Sequence, residues 1–304
     1  MNRILYLFSI FLLLFFSAFA AKKSSSVQNI QKSIFELKSG KTVMRISTKG
    51  GRIISYSYGG KEMLTQSDEN ENFGSTLWTA PQSDWGWPPY DVLDNQDYDV
   101  EAFGKGLKMI SKSDTKSGFQ FEKSWEVNKN KSIHIKYVIR NVSTSTKSVG
   151  AWVVTRVPCG GLIFFPDGGE GNVPDSNLKL DNRKEGINWI QIDKTPMKEH
   201  QKLFSTAEQG WLANAYNGLL FIKQFPDTKP ENYSPQQGEV EIYVKENKSY
   251  IELENHGNYQ LLQPGETLCY DETWYLISIP EKINLISRMK ELPMLVRKEI
   301  NYKN

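Results

Sequence analysis

Trp211-Leu212-Ala213-Asn214-Ala215-Tyr216-Asn217-Gly218-Leu219-Leu220-Phe221-Ile222-Lys223-Gln224-Phe225 is two mostly apolar runs joined by Asn-Gly. Asn-Gly supplies the two positive-φ positions of a tight hairpin turn, whose twist matches the strands on either side. The stretch therefore reads as a β-hairpin, and it sets the expectation for its neighbours. Residues 239–245, 249–254 and 267–279 follow it with period-2 patterning. Residues 42–48, 107–111, 119–127 and 148–157 precede it in the same style. Residues 52–58 and 61–64 flank Gly59-Gly60, a second two-residue hairpin signal. In residues 133–139, Ile133, Ile135, Tyr137 and Ile139 share one face, and His134, Lys136 and Val138 share the other.

Helix-period segments are scarce. Residues 280–290 qualify, with Pro280 at the first turn and Ile283, Ile286 and Met289 on one stripe, resuming after Pro293. Many short strands at even spacing give an all-β fold: one large antiparallel β-sandwich with a short C-terminal helix. No linker or repeat divides it. The expected organisation is a signal peptide over 1–20, a disordered mature N-terminus over 21–32, the sandwich over 33–280 and a C-terminal helical segment over 281–304.

The signal peptide rests on Met1-Asn2-Arg3, the apolar run of residues 4–16 and the small residues of Ala18-Phe19-Ala20. It implies export, to the periplasm or beyond, and no membrane insertion after cleavage. Lys plus Arg number 37 and Asp plus Glu 35, so charge does not point to a nucleic-acid partner. Three His and two Cys build no zinc or iron–sulfur spacing, so neither metal nor cofactor is expected. An exported chain allows a Cys159–Cys269 bridge, but the apolar surroundings of both also suit free buried thiols.

Residues 76–89 concentrate Trp78, Trp85 and Trp87 around Gln82 and Asp84, with three prolines and a glycine that argue for irregular backbone. Indole rings cover the apolar face of a pyranose, while an amide and a carboxylate bond its hydroxyls. A minicore of Trp and Pro under a long loop explains the same composition. In residues 250–257, Glu252, Glu254 and His256 alternate onto one strand face. Glu254 and His256 are then a candidate acid–base pair; the other reading is a solvated outer face. Arg156 in an apolar strand needs a carboxylate or a hydroxylated ligand, with Asp84 the first partner to test. His134 reads as an exposed strand histidine. The Gly-rich residues 165–172 match no phosphate loop and no EF-hand.

Gly50-Gly51-Arg52-Ile53-Ile54 with Gly60-Lys61-Glu62-Met63-Leu64, and Leu262-Gln263-Pro264-Gly265-Glu266-Thr267 with Thr273-Trp274-Tyr275-Leu276, resemble the opening and closing strands of the galactose mutarotase-like superfamily. Phe225-Pro226-Asp227 is similar to a segment of aldose 1-epimerases. The resemblance implies a β-supersandwich used for sugar binding or for sugar-ring opening by a Glu base and a His acid. The epimerase His motif is absent, and Lys223-Gln224 stands near the expected catalytic Glu. The expected function is carbohydrate binding, with Trp78, Trp85 and Trp87 as platforms and Gln82, Asp84, Arg156, Lys223 and Glu254 as polar contacts. The alternatives are a sugar-modifying enzyme that uses Glu254 and His256, and an interaction domain that has lost its sugar site.

Overall fold

The computed structural model describes residues 27–66, 72–283 and 288–300. The signal segment lies outside them. The first strands are β1 (Val27–Gln31), β2 (Ile34–Ser39), β3 (Thr42–Ser47), β4 (Arg52–Tyr58), β5 (Lys61–Glu62) and β6 (Ser75–Ala80). A one-turn helix, α1 (Asp91–Asp94), leads to β7 (Asp99–Phe103), β8 (Gly106–Ile110), β9 (Phe119–Val127), β10 (Ile133–Asn141) and β11 (Lys147–Val157). Then come β12 (Leu162–Pro166), β13 (Asn182–Lys184), β14 (Ile187–Gln191), β15 (Gln201–Ser205), β16 (Trp211–Tyr216) and β17 (Leu219–Gln224). The chain ends with β18 (Val240–Val244), β19 (Ile251–His256), β20 (Gln260–Leu262), β21 (Thr267–Ser278) and helix α2 (Arg288–Glu299).

These strands form two antiparallel sheets. The larger runs β1-β2-β3-β4-β6-β11-β19-β18-β15, with β5 on β4 and β20 on β11. The smaller runs β13-β14-β12-β16-β17-β21-β10-β9-β8-β7. Period-2 patterning places the core. Ile133, Ile135, Tyr137 and Ile139 of β10, with Phe121 and Trp125 of β9, meet Leu37, Met44, Ile46, Leu77, Val153 and Leu253 of the facing sheet. The Asn217-Gly218 hairpin forms as expected, pairing Tyr216 with Leu219 at φ of 51° and 75° on the turn residues. Gly50 is needed for close approach: a Cβ there would meet the Asp94 carbonyl oxygen at 2.0 Å.

Three expectations need correction. Residues 27–31 pair with β2 as an ordered edge strand rather than standing disordered. Residues 75–80 form a central strand, buried on both faces. Irregular backbone begins only at Pro81, because Ser75-Thr76-Leu77-Trp78-Thr79-Ala80 holds no breaker. The described helix runs over 288–299 and takes in only the end of the expected 280–290 segment, residues 280–283 being non-helical. Leu292, Val296 and Ile300, spaced four apart, cover Phe164, Trp189, Trp211 and Ile222 on the outer face of the smaller sheet. Ile283 and Met289 pack against the same cluster, and this burial tolerates Pro293 inside the helix. Cys159 and Cys269 are both free, one buried and one exposed.

Candidate functional site

A sandwich strand usually buries one face and wets the other. Strands β6, β11 and β19 bury nearly every residue on both faces. Their outward residues are Trp78, Trp152, Arg156, Glu252, Glu254 and His256. Register lines them up: Trp152 sits opposite both Trp78 and His256, Arg156 opposite Glu252, and Glu254 opposite Glu241 of β18.

On this face Lys202 of edge strand β15 reaches inward. Its Nζ lies 2.6 Å from Glu241 and 3.1 Å from Glu254. Trp152 Nε1 donates to Glu254 Oε2 at 2.7 Å, and the Gly238 N–H donates to Glu241 Oε1 at 2.9 Å. The His256 ring stacks on Trp152, centroids 5.5 Å apart, and its Nε2 lies 3.3 Å from Glu241. Glu241, Glu254 and His256 are all 0% exposed. Burial pushes the Glu254 carboxyl well above the usual carboxylate range, although the Lys202 charge opposes it. Burial acts the same way on Glu241, but there the charges of His256 and Lys202 win and hold its carboxyl low. Two adjacent buried carboxyls are thus pushed in opposite directions, an arrangement suited to proton transfer.

Beside the cluster lies an indole wall. Trp85 contacts Trp78 (5.8 Å) and Trp152 (6.2 Å), and Trp87 meets Trp78 at 5.8 Å. Hydrogen bonds fix its parts: Trp78 Nε1 donates to Asp94, itself paired with Arg52, and Trp85 Nε1 donates to the Thr79 carbonyl. Trp87 is 60% exposed and Trp78 only 6%. On the far side of Trp85 a cleft of about 280 Å³ opens, lined among others by Asp84, Trp85, Tyr90, Lys116, Lys147 and Tyr259.

A comparison with protein families matches residues 35–277 to a domain of unknown function, DUF4380. The chain belongs to that family. No curated protein matches the sequence. Among solved structures, this DUF4380 chain is similar to a TPR-domain containing protein from Parabacteroides distasonis. That match has a TM-score of 0.59 at 16% identity and covers 84% of this chain and 48% of that one. A galactose mutarotase-like protein from Clostridium acetobutylicum matches at TM-score 0.52 and 10% identity, over 81% of this chain and 95% of that one. An aldose epimerase homologue from C. elegans matches at 0.53 and 10%, over 81% and 99%. The fold is galactose mutarotase-like, as the short strand motifs imply.

Within the DUF4380 fold the residues singled out from sequence divide. Glu254 and His256 share the outer face with Glu252, but as a buried cluster rather than a solvated row. Arg156 pairs with Glu252 at 2.8 Å and stacks over Trp78, so Asp84 is not its partner. Gln82 is half-buried and bonds the Gly86 carbonyl, holding its own turn. Asp84 is exposed at the cleft. Lys223 departs most from expectation. It points between the sheets, donating to Thr155 Oγ1 at 2.9 Å and the Leu253 carbonyl at 3.3 Å, with Glu272 3.9 Å away. Asn255 joins the same inner network through Tyr270 and Glu272. Alternation explains this: Lys223 shares a face with Phe221, which is core. His134 is partly exposed and pairs with Asp271. Asp167, from the Gly-rich segment, pairs with Arg183 at 3.2 Å. Sequence reasoning missed Trp152, Lys202 and Glu241. Glu241, a lone carboxylate inside an apolar strand, carries the signal that would have found it. Lys202 carries none, because β15 is a short edge strand of mixed composition.

Proposed function

We propose that this chain binds carbohydrate, with the sugar seated in the cleft beside Trp85. The observation that carries the reading is the lining of that cleft: an indole and two phenols, with Asp84 and two lysines at hand for hydroxyls. A volume of about 280 Å³ is at the small end for ligand pockets and suits one ring of a glycan. Trp87, exposed on the same loop, extends the apolar surface. Fold neighbours named for mutarotases and aldose epimerases agree with a sugar ligand. The test is a glycan array followed by calorimetry on Trp85→Ala and Asp84→Asn. Loss of the ring contact weakens binding by about 0.5–1.5 kcal/mol beyond area burial, and loss of the charged acceptor by about 1.5–3 kcal/mol. Melting is measured on the same variants. Affinity intact with melting lowered would mean that the loop is scaffold.

A second reading, a sugar-modifying enzyme, draws on the raised Glu254 and the adjacent Glu241 and His256. These groups are buried behind Trp152 and Lys202, so turnover requires one of the two side chains to move. Mutarotation kinetics on wild type and Glu254→Gln decide between the two: a rate above buffer, abolished in the variant, favours the enzyme. We further propose that the chain is exported and cleaved after Ala20; a mature protein whose mass still begins at Met1 would sink that idea.

A further inference from the structure

We propose that Glu241, Glu254 and His256 form a divalent-cation site, with zinc the ion that the donor set suits best. Two carboxylates and one imidazole are zinc ligands, and they leave a fourth position open. One donor atom from each residue lies within 4.8 Å of the other two. A tetrahedral ion with bonds of about 2.0–2.2 Å holds its donors roughly 3.3–3.5 Å apart, so the side chains must close in by about an ångström. Glu241 and His256 already stand 3.3 Å apart.

A second observation points to a missing ligand. Among the described residues, Glu254 Oε1 and both ring nitrogens of His256 have no hydrogen-bond partner, although their side chains are 0% exposed. Buried polar atoms are ordinarily satisfied, so Glu254 Oε1 and an imidazole whose only polar neighbour in the cluster is the Glu241 carboxylate, 3.3 Å from Nε2, need a cause. Two of the carboxylate oxygens are already oriented, Glu254 Oε2 by the Trp152 indole and Glu241 Oε1, the atom facing His256, by the Gly238 N–H. Outer hydrogen bonds of this kind hold ligating carboxylates in place.

Lys202 is the competitor. Its ammonium touches both carboxylates and, with both ionised and His256 neutral, leaves the cluster with one negative charge in excess. A divalent ion in its place closes that balance. Lys202 is 21% exposed while the three donors are 0%, so its stem marks the route from solvent. Swinging outward along β15, it would free the site.

The test is calorimetric titration of the full chain with zinc alone. Wild type is expected to bind one equivalent. Lys202→Met, which removes the competing charge, should bind at least about tenfold tighter, and His256→Gln at least about tenfold weaker. A natively folded Lys202→Met that binds zinc no tighter than wild type, or a His256→Gln that binds as wild type does, overturns the proposal. If Lys202→Met does not fold, melting carries the test: zinc should raise the midpoint of wild type and not of Glu254→Gln or His256→Gln. Equal shifts in all three, or none in any, also overturn it.

Discussion

Single residues in this protein carry unusual electrostatic weight. Arg156 and Glu252 form an ion pair with the guanidinium wholly buried. Arg156→Met leaves the Glu252 carboxylate without its partner and should cost about 3–5 kcal/mol in urea denaturation. Adding Glu252→Gln should recover part of that loss, because the uncompensated charge goes with it. Glu239 gives a pH signature. Burial pushes its carboxyl up to about 8, against the pull of the Thr228 and Ala207 N–H groups, from an ordinary value of 4.5. The folded state therefore keeps a proton that the unfolded state has released. The stability tied to that proton is full below about pH 4.5 and is lost as pH rises through about 8. Unfolding free energies measured from pH 5 to 8 should fall, and Glu239→Gln should flatten the fall.

Strands and helices show what sequence can and cannot tell. The Asn217-Gly218 turn needs positive φ at both positions. Gly218→Val places a branched side chain at φ 75° and should destabilise by about 1 kcal/mol or more, with the β16–β17 register retained. For α2, Leu292→Ala should cost about 2–5 kcal/mol and raise amide exchange across 288–299 before elsewhere. The hairpins were legible because turn chemistry and alternation are local. The true extent of α2 was not, since only contact with the outer face of the smaller sheet shows that Leu292, Val296 and Ile300 are the residues buried most deeply there. The same limit governs the site. Glu254 and His256 can be read from one strand, but Glu241 reaches them through the register of the neighbouring strand and Lys202 through a pairing between strands distant in sequence. Alternation does foretell an inward Lys223, yet proximity to a family motif argues for a ligand contact, and the interior wins.

At the scale of the whole molecule the two thiols report on compactness. Cys269 is exposed on β21 and Cys159 is buried, with its thiol pushed up by that burial. A thiol-reactive reagent should modify one cysteine quickly in the native protein and two after unfolding. A single slow phase for both would contradict the arrangement. The inner network around Lys223 has a wider effect. Its hydrogen bonds run from β17 and β21 in one sheet to β11 and β19 in the other, while the Lys223–Glu272 ion pair lies within the first. Tyr56 of β4 adds a bond to the Trp274 carbonyl. Apolar surfaces alone can slide over one another at little cost, because Leu against Val differs little from Leu against Ile. A slide of two residues here would take the Lys223 ammonium off Thr155 and the Leu253 carbonyl and the Glu272 carboxylate off Asn255, leaving both charges short of partners in a dry interior, a penalty of several kcal/mol. The two halves of the sandwich therefore have a single seating, keyed by charge rather than by shape.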